Sequence, residues 1–222
     1  AMATITGSST IDWSTVALQP SNNVQQQFDK FGSTFTHITT EIDARQFTFN
    51  GPHTSTFFSL TLTTGDKEII TATGSGFFGH NNPVVKSFTY DNPVTHETMQ
   101  FSGTIDFVGN EVINRLTVGT LGSTATIIGN IVIDQQGNIV SGNVTQVRET
   151  IGSTEVTAKG SLVLSSAGDL RGTVTQISVL SGTDTIVMSG LSVPYNTLSS
   201  ITTANDLFSV VGNQLSGDDT IT

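Results

Sequence analysis

A repeat of 30 residues constrains the fold of this chain more than any other feature of its sequence. The segments TLGST, TIGST and LSGTD begin at Thr120, Thr150 and Leu180, so the interval is 30 residues each time. Apolar and polar side chains alternate through each unit, which is the period of a β-strand. Such units cannot bury their apolar faces alone. We therefore predict β-hairpins that pack side by side.

Each strand of the repeat carries a glycine within its apolar alternation: Gly129, Gly142, Gly160, Gly172 and Gly190. Antiparallel pairing brings these glycines into a row across the sheet, and coordinated glycine kinks are how long strands curve. The predicted fold class is all-β with one short N-terminal helix. We expect a long-stranded antiparallel β-meander of 30-residue hairpin repeats, bent along a glycine row.

The pattern divides the chain into three parts. Residues 1–50 form an irregular N-terminal segment, in which residues 21–35 carry the cap, spacing and stop of a short helix. Residues 51–200 carry the β-meander and are predicted to form one domain with that segment. Residues 201–222 are predicted to be a linker into calcium-binding repeats.

Composition excludes several classes of partner. Charged residues make up 12% of the chain and the formal net charge is −10, so we expect a polyanion to be repelled and a nucleic acid not to bind. The chain has no cysteine, which excludes disulfides and thiolate metal sites. No apolar run reaches the roughly 20 residues of a membrane span, so we expect no membrane insertion.

The segment GDDTIT, residues 217–222, resembles the calcium-binding nonapeptide repeat of RTX proteins in the last six of its nine positions. The two leading glycines of that repeat are missing. The resemblance implies type I secretion, a secreted or cell-surface location, and calcium in adjoining repeats. It also implies that Asp218 and Asp219 form an incomplete calcium half-site. We expect no cofactor within these 222 residues.

Motifs of catalysis are missing from the sequence. There is no G-x-S-x-G elbow, no phosphate-binding loop and no H-E-x-x-H. Most of the carboxylates that a hydrolase could use fall where turns or solvent-facing strand positions are expected: Asp29, Glu41, Asp43, Asp106, Glu111, Asp134, Glu149, Glu155 and Asp184. We predict that the chain is not an enzyme, and a carboxylate-based hydrolase remains the second alternative.

The segments FGSTFTH and FTYDNPVTHETM hold three residues that invite a sharper hypothesis: His37, Tyr90 and His96. They resemble secreted hemophores, which hold haem between a histidine and a tyrosine. The resemblance implies that His37 and Tyr90 are axial ligands and that His96 braces the tyrosine. The tyrosine-to-histidine spacing is shorter than in that family, and the hairpin repeats have no counterpart there.

The leading hypothesis is an extracellular, non-enzymatic adhesion, matrix or surface module of a type I secreted, RTX-like protein. Its expected partners are an extracellular glycan, a protein surface, or another copy that pairs through the sheet edges. Threonine-rich stretches also raise ice binding, for which a bent sheet is a poor lattice. Contact residues are expected in loops at one end of the sheet, which carry His53, His80, Asn81, Asn82, Tyr90 and Asp91.

Overall fold

The computed structural model describes residues 2–7, 11, 13, 37–38, 58–63, 67–75, 84–106, 108–215 and 220–222. Within them, twelve strands form one sheet. The strands are β1 (Thr4–Gly7), β2 (Phe58–Thr63), β3 (Ile69–Ser75), β4 (Val84–Asp91), β5 (Thr98–Asp106), β6 (Glu111–Thr120), β7 (Ser123–Ile133), β8 (Ile139–Ile151), β9 (Thr154–Leu164), β10 (Leu170–Ser181), β11 (Asp184–Pro194) and β12 (Thr220–Ile221). Two short helices follow β11, α1 (Tyr195–Leu198) and α2 (Ala204–Gly212).

Strands β2 to β11 pair in the order in which they follow one another along the chain, and all of these pairings are antiparallel. Strand β1 pairs antiparallel with β11, and β12 pairs parallel with β1. The order ends at β12 and β2, so the described strands form an open sheet. The predicted antiparallel β-meander is confirmed.

Two-residue turns align the hairpins at one end of the sheet. Gly122, Gly152 and Gly182 have φ values of 78°, 59° and 61°, which glycine adopts without strain. The turns also bind each other. The amide of Gly152 donates to the carbonyl of Gly122 at 2.9 Å, and the amide of Gly182 donates to the carbonyl of Ser153 at 3.2 Å. The 30-residue period is therefore the number of residues along the chain from one of these turns to the next equivalent turn.

A row of β-bulges crosses the middle of the sheet. In every second strand one residue is left over from the pairing: Lys86, Asn114, Thr145 and Thr175. Across from each extra residue, the neighbouring strand carries a glycine: Gly74, Gly103, Gly129 and Gly160. A bulge bends its strand and increases the local twist. Gly129 and Gly160 of the predicted row therefore lie at the bulges, where the strands bend. Gly142 and Gly172 of that row pair with Ile131 and Leu162, two residues away from this line.

The glycines are needed because a neighbouring backbone passes where a side chain would begin. A Cβ atom on Gly129 would overlap the carbonyl oxygen of Asn143, and one on Gly160 would overlap that of Thr173. Gly190 in β11 lies in the same way against the carbonyl of Met2, just before β1. Any residue other than glycine would have to push the two strands apart at these points.

One face of the sheet, here called the inner face, carries the core. Phe88 of β4 pairs across the sheet with Phe101 of β5, and their rings stack with centroids 5.1 Å apart. Helices α1 and α2 add four buried side chains to the same core: Tyr195, Leu198, Leu207 and Val211. The opposite face, here called the outer face, carries polar side chains such as Ser102 and Lys159.

Some predictions about the ends of the chain cannot be compared with the structure. The predicted N-terminal helix at residues 21–35 lies outside the described residues. Within the predicted linker, 201–222, the structure has α2 and β12, and β12 is part of the sheet. The domain boundaries themselves stay a prediction. Among the described residues, no helix is long and apolar enough to cross a membrane.

Candidate functional site

The clearest group of interacting polar side chains lies where β3 begins and β4 ends. Ile70 of β3 pairs with Tyr90 of β4, and both side chains are buried. Side chains two residues apart in a strand share a face, so Glu68 before Ile70 and Asn92 after Tyr90 also point inward. Glu68 is 7% exposed and Asn92 is 8% exposed.

Glu68 joins two of the residues that the sequence singled out. The hydroxyl of Tyr90 donates to Oε1 of Glu68 at 2.8 Å. Nε2 of His37, whose backbone is helical, lies 2.9 Å from Oε2 of the same carboxylate. We call His37, Glu68, Tyr90 and Asn92 the Glu68 cluster. In this cluster the imidazole of His37 is partly exposed to solvent, and its Nε2 contacts the buried carboxylate of Glu68.

Asn92 is oriented by the turn that follows it. Its Oδ1 accepts hydrogen bonds from the amides of Val94 and Thr95, at 2.9 and 3.0 Å. This leaves the Nδ2 group of Asn92 to donate to the hydroxyl of Tyr90 at 3.3 Å. The Tyr90 oxygen therefore accepts one hydrogen bond and donates another, which satisfies a buried hydroxyl.

Burial controls the protonation of Tyr90. Desolvation raises the pKa of the Tyr90 hydroxyl to about 12, with the neighbouring Glu68 carboxylate adding to the shift. The phenol is therefore a hydrogen-bond donor at neutral pH. The imidazole of His37 is 43% exposed, and its Nε2 faces Glu68.

The remaining predicted site residues are placed as follows. His96 lies in the turn between β4 and β5 with a φ of 59°, and its side chain is exposed. The side chains that contact the Tyr90 hydroxyl are Glu68 and Asn92. Asp91 points to the exposed side. Several predicted residues lie outside the described residues: Asp218, Asp219, His53, His80, Asn81 and Asn82.

A second buried carboxylate lies farther along the inner face. Glu149 of β8 is 3% exposed, and the prediction of a turn or solvent-facing position is wrong for it because it alternates in phase with buried Val147. Burial, and secondarily the Glu149 charge, raises the pKa of Tyr195 in α1 to about 12. Glu111 is also half-buried, and desolvation raises its pKa. No group of three metal-ligating side chains occurs among the described residues.

The outer face offers a surface rather than a pocket. Next to the bulges, each strand from β4 to β11 has one outer-face residue that pairs with the corresponding residue of the neighbouring strand. Most of these residues are polar: Ser87, Ser102, Arg115, Ile128, Gln146, Lys159, Gln176 and Ser189. We call this row the outer-face belt. All of its members are half-buried or exposed. The belt runs across eight strands, and neighbouring members are roughly 4.8 Å apart.

Threonines of the bulges reinforce the belt at equivalent places in the repeat. The hydroxyl of Thr145 donates to the carbonyl of Ile128 at 3.2 Å, and the hydroxyl of Thr175 donates to the carbonyl of Lys159 at 3.3 Å. These bonds join Thr145 and Thr175 to the neighbouring strands. They therefore hold the backbone at two members of the belt, Ile128 and Lys159.

Comparison with protein-family models, with curated proteins and with solved structures finds no match to this chain.

Sequence reasoning missed Glu68 and Asn92, although a signal for both is present. Glu68, Ile70 and Ala72 alternate, and so do Phe88, Tyr90 and Asn92. The phase of the buried residues therefore places the two polar side chains on the inner face. Which residues of the neighbouring strand they contact depends on the pairing register, and the alternation does not determine that register.

Proposed function

We propose that this chain is an extracellular, non-enzymatic adhesion, matrix or surface module of a type I secreted, RTX-like protein. The outer-face belt is the observation that carries the proposal. It is a row of half-buried and exposed side chains, in which hydroxyl, amide and cationic groups are interrupted by Ile128. Such groups can donate to and accept from the hydroxyls of a glycan or the backbone of a protein.

The direction of β12 supports the RTX-like part of the proposal. Thr220 and Ile221 belong to the segment that resembles the nonapeptide repeat, and they pair parallel with Thr4 and Ile5 of β1. Calcium-binding nonapeptide repeats form parallel β-structure. A parallel strand at the edge of an antiparallel sheet provides the orientation that such repeats need. Calcium takes six to eight oxygen ligands, so Asp218 and Asp219 would need further donors from adjoining repeats.

Adhesion is tested with a matched pair of variants. Ser102→Glu places a carboxylate in the belt, whereas Ser166→Glu makes the same change at an exposed turn. Binding of the purified chain is measured on immobilised glycans and proteins, and self-association is measured by sedimentation velocity. We expect adhesion that Ser102→Glu weakens and Ser166→Glu leaves unchanged. Equal effects of both variants, or no binding and no self-association in any format, would contradict the proposal.

Haem binding remains an alternative because His37 and Tyr90 are both within hydrogen-bond distance of Glu68. Both groups are engaged with that carboxylate, and the pKa of about 12 opposes the phenolate that binds iron. Both side chains would therefore have to leave Glu68 before they could ligate iron. A hemin titration tests the alternative: a stoichiometric Soret band that Tyr90→Phe abolishes would support it, and a flat titration would reject it.

The hydrolase alternative requires two carboxylates on either side of a substrate. The Glu68 cluster has one carboxylate with a histidine and a tyrosine, and the charge of a second carboxylate, Glu97, also acts on the Tyr90 hydroxyl. Release of reducing sugar from glycan substrates, lost in Glu68→Gln, would favour this alternative over adhesion.

A further inference from the structure

Positive charge is concentrated on the outer face of this acidic protein. The described residues include six lysines and arginines, and five of them lie in strands with side chains on the outer face: Lys86, Arg115, Arg148, Lys159 and Arg171. The net charge of −10 hides this distribution because it averages over the whole chain.

The carboxylates of both faces lie outside the strands or near their ends. Every aspartate and glutamate among the described residues lies in a loop, in α2, or within three residues of a strand end: Glu68, Asp91, Glu97, Asp106, Glu111, Asp134, Glu149, Glu155, Asp169, Asp184 and Asp206. Among the five cations, Arg115 and Lys159 lie more than three residues from either end of their strands, so they are the charges at the middle of the outer face.

Two of the five cations are already paired with carboxylates. Nε of Arg148 lies 3.4 Å from Oε1 of Glu155, and a terminal nitrogen of Arg171 lies 3.1 Å from Oδ2 of Asp169. The other three, Lys86, Arg115 and Lys159, are exposed and have no ion-pair partner among the described residues.

These three cations lie at the belt with defined spacings. Arg115 on β6 and Lys159 on β9 are belt members three strands apart, which corresponds to roughly 14 Å. Lys86 lies next to Ser87 on β4, two strands or roughly 10 Å from Arg115. The Nζ of Lys86 donates to Oγ1 of Thr104 at 2.9 Å, which holds the lysine across the outer face.

We propose that the outer-face belt binds a linear acidic polysaccharide, with Lys86, Arg115 and Lys159 pairing with its carboxylates. This inference rests on the proposed surface function and names the class of partner. The belt amides and hydroxyls between the cations bind sugar hydroxyls, which a purely electrostatic site would not need. Bidentate pairing makes Arg115 the strongest of the three contacts.

The spacing favours a polysaccharide over a nucleic acid. Duplex DNA carries one charge per roughly 1.7 Å, and the net charge of −10 would repel so dense a polyanion. An acidic polysaccharide places sugar hydroxyls between its carboxylates, as the belt places polar groups between its cations. The belt also has no exposed aromatic ring on which a base could stack.

Polygalacturonate and its fully methyl-esterified form provide a matched pair of probes, because they share one sugar backbone and differ in charge. Binding of the whole chain is measured by biolayer interferometry at low ionic strength with EDTA, which removes bridging calcium. We expect binding to polygalacturonate that salt weakens, and little binding to the ester. Arg115→Gln and Lys159→Gln should each lower the affinity about two- to fivefold, and the double variant about tenfold.

Lys67→Gln is the matched control, because it removes the same charge from an exposed loop residue outside the belt. Equal binding of the ester, equal loss in Lys67→Gln, or tighter binding of duplex DNA would overturn the polysaccharide inference. If the chain adheres to neutral glycans, to proteins or to itself without involving Arg115 and Lys159, the inference fails while the surface function stands. If it binds none of these probes, both fail. Circular dichroism of each variant verifies that the sheet is retained.

Discussion

The hydroxyl of Tyr90 donates a hydrogen bond of 2.8 Å to Oε1 of Glu68, and both residues are buried. The bond joins the end of β4 to the loop before β3. It also places an ionisable carboxyl group against the inner face, where an unsatisfied polar atom is costly. The Glu68 cluster is therefore a structural link between segments, and its partly exposed His37 is the part that a ligand could reach.

Removal of the Tyr90 hydroxyl should destabilise the fold. Tyr90→Phe takes a donor from a buried carboxylate, which typically costs about 1–3 kcal/mol. A double-mutant cycle with Glu68→Gln, measured by urea unfolding, isolates the coupling between the two side chains. We expect the double variant to be clearly less destabilised than the sum of the single variants. Additivity within about 0.5 kcal/mol would contradict a direct interaction.

A methyl group on the glycine row should be tolerated poorly. Gly129→Ala forces a Cβ into the carbonyl oxygen of Asn143, so we expect a loss of about 2 kcal/mol or more in the free energy of unfolding. Gly212→Ala is the matched change, because nothing lies within 4 Å of its Cβ position in α2. That variant should be neutral or stabilised by up to about 1 kcal/mol. Similar effects at both positions would argue against close strand contact.

Deletion of one repeat unit should leave a foldable sheet. Removal of residues 121–150 joins Thr120 to Ile151 and recreates the turn sequence TIGST before β9. Two strands are lost, so the strands that become neighbours remain antiparallel. We expect cooperative thermal unfolding and a β-type circular dichroism spectrum.

The control deletion removes residues 121–135, which is a single strand with part of a turn. The strands on either side, β6 and β8, would then have to pair in parallel. Parallel neighbours need a crossover connection of about a dozen residues or more, and the loop that remains is much shorter. We expect aggregation or loss of cooperative unfolding. A well-folded product from this deletion, or a misfolded one from the 30-residue deletion, would show that the repeat is not the folding unit.

The start of α2 should respond to pH through Asp206. Its carboxylate accepts from the Thr203 hydroxyl at 2.7 Å and from the Thr203 amide at 3.2 Å, and the hydroxyl bond is the main cause of its lowered pKa. Because the folded pKa lies below the unfolded value of about 3.9, this stabilisation is present above that value. It is lost as the pH falls through the folded pKa.

Thr203→Ala should raise the pKa of Asp206 toward its ordinary value, as followed by NMR titration of the side-chain carboxyl. Loss of the N-cap should also lower stability at neutral pH by about 1 kcal/mol. Thr203→Ser keeps the hydroxyl and should restore both properties. An Asp206 pKa that is the same in all three proteins would contradict the capping role of the threonine.

Local sequence was sufficient for the hairpins, because strand alternation and turn glycines act within a few residues. It was not sufficient for the glycine row, because the register places Gly129 opposite Val144 and Gly160 opposite Val174. The helices after β11 were missed, although Thr203 and Asp206 have the spacing of a capping box. The period-two pattern of the sequence extends to about Val193. Helix α1 has four residues, which is too few to show a helical periodicity. The aligned bulges were also missed, since an extra residue is defined only by its partner strand.

The sequence by itself determined that this chain is a meander of antiparallel hairpins with a 30-residue period, because period, alternation and turn chemistry are local properties. Only the tertiary structure decided which distant side chains meet. Pairing register brings Glu68 to Tyr90, while His37 reaches Glu68 from a helical segment outside the sheet. Arg115 and Lys159 share one belt across four strands. Register is set jointly by bulges, turns and the packed inner face, so the charge of the outer face emerges only when the strands are paired.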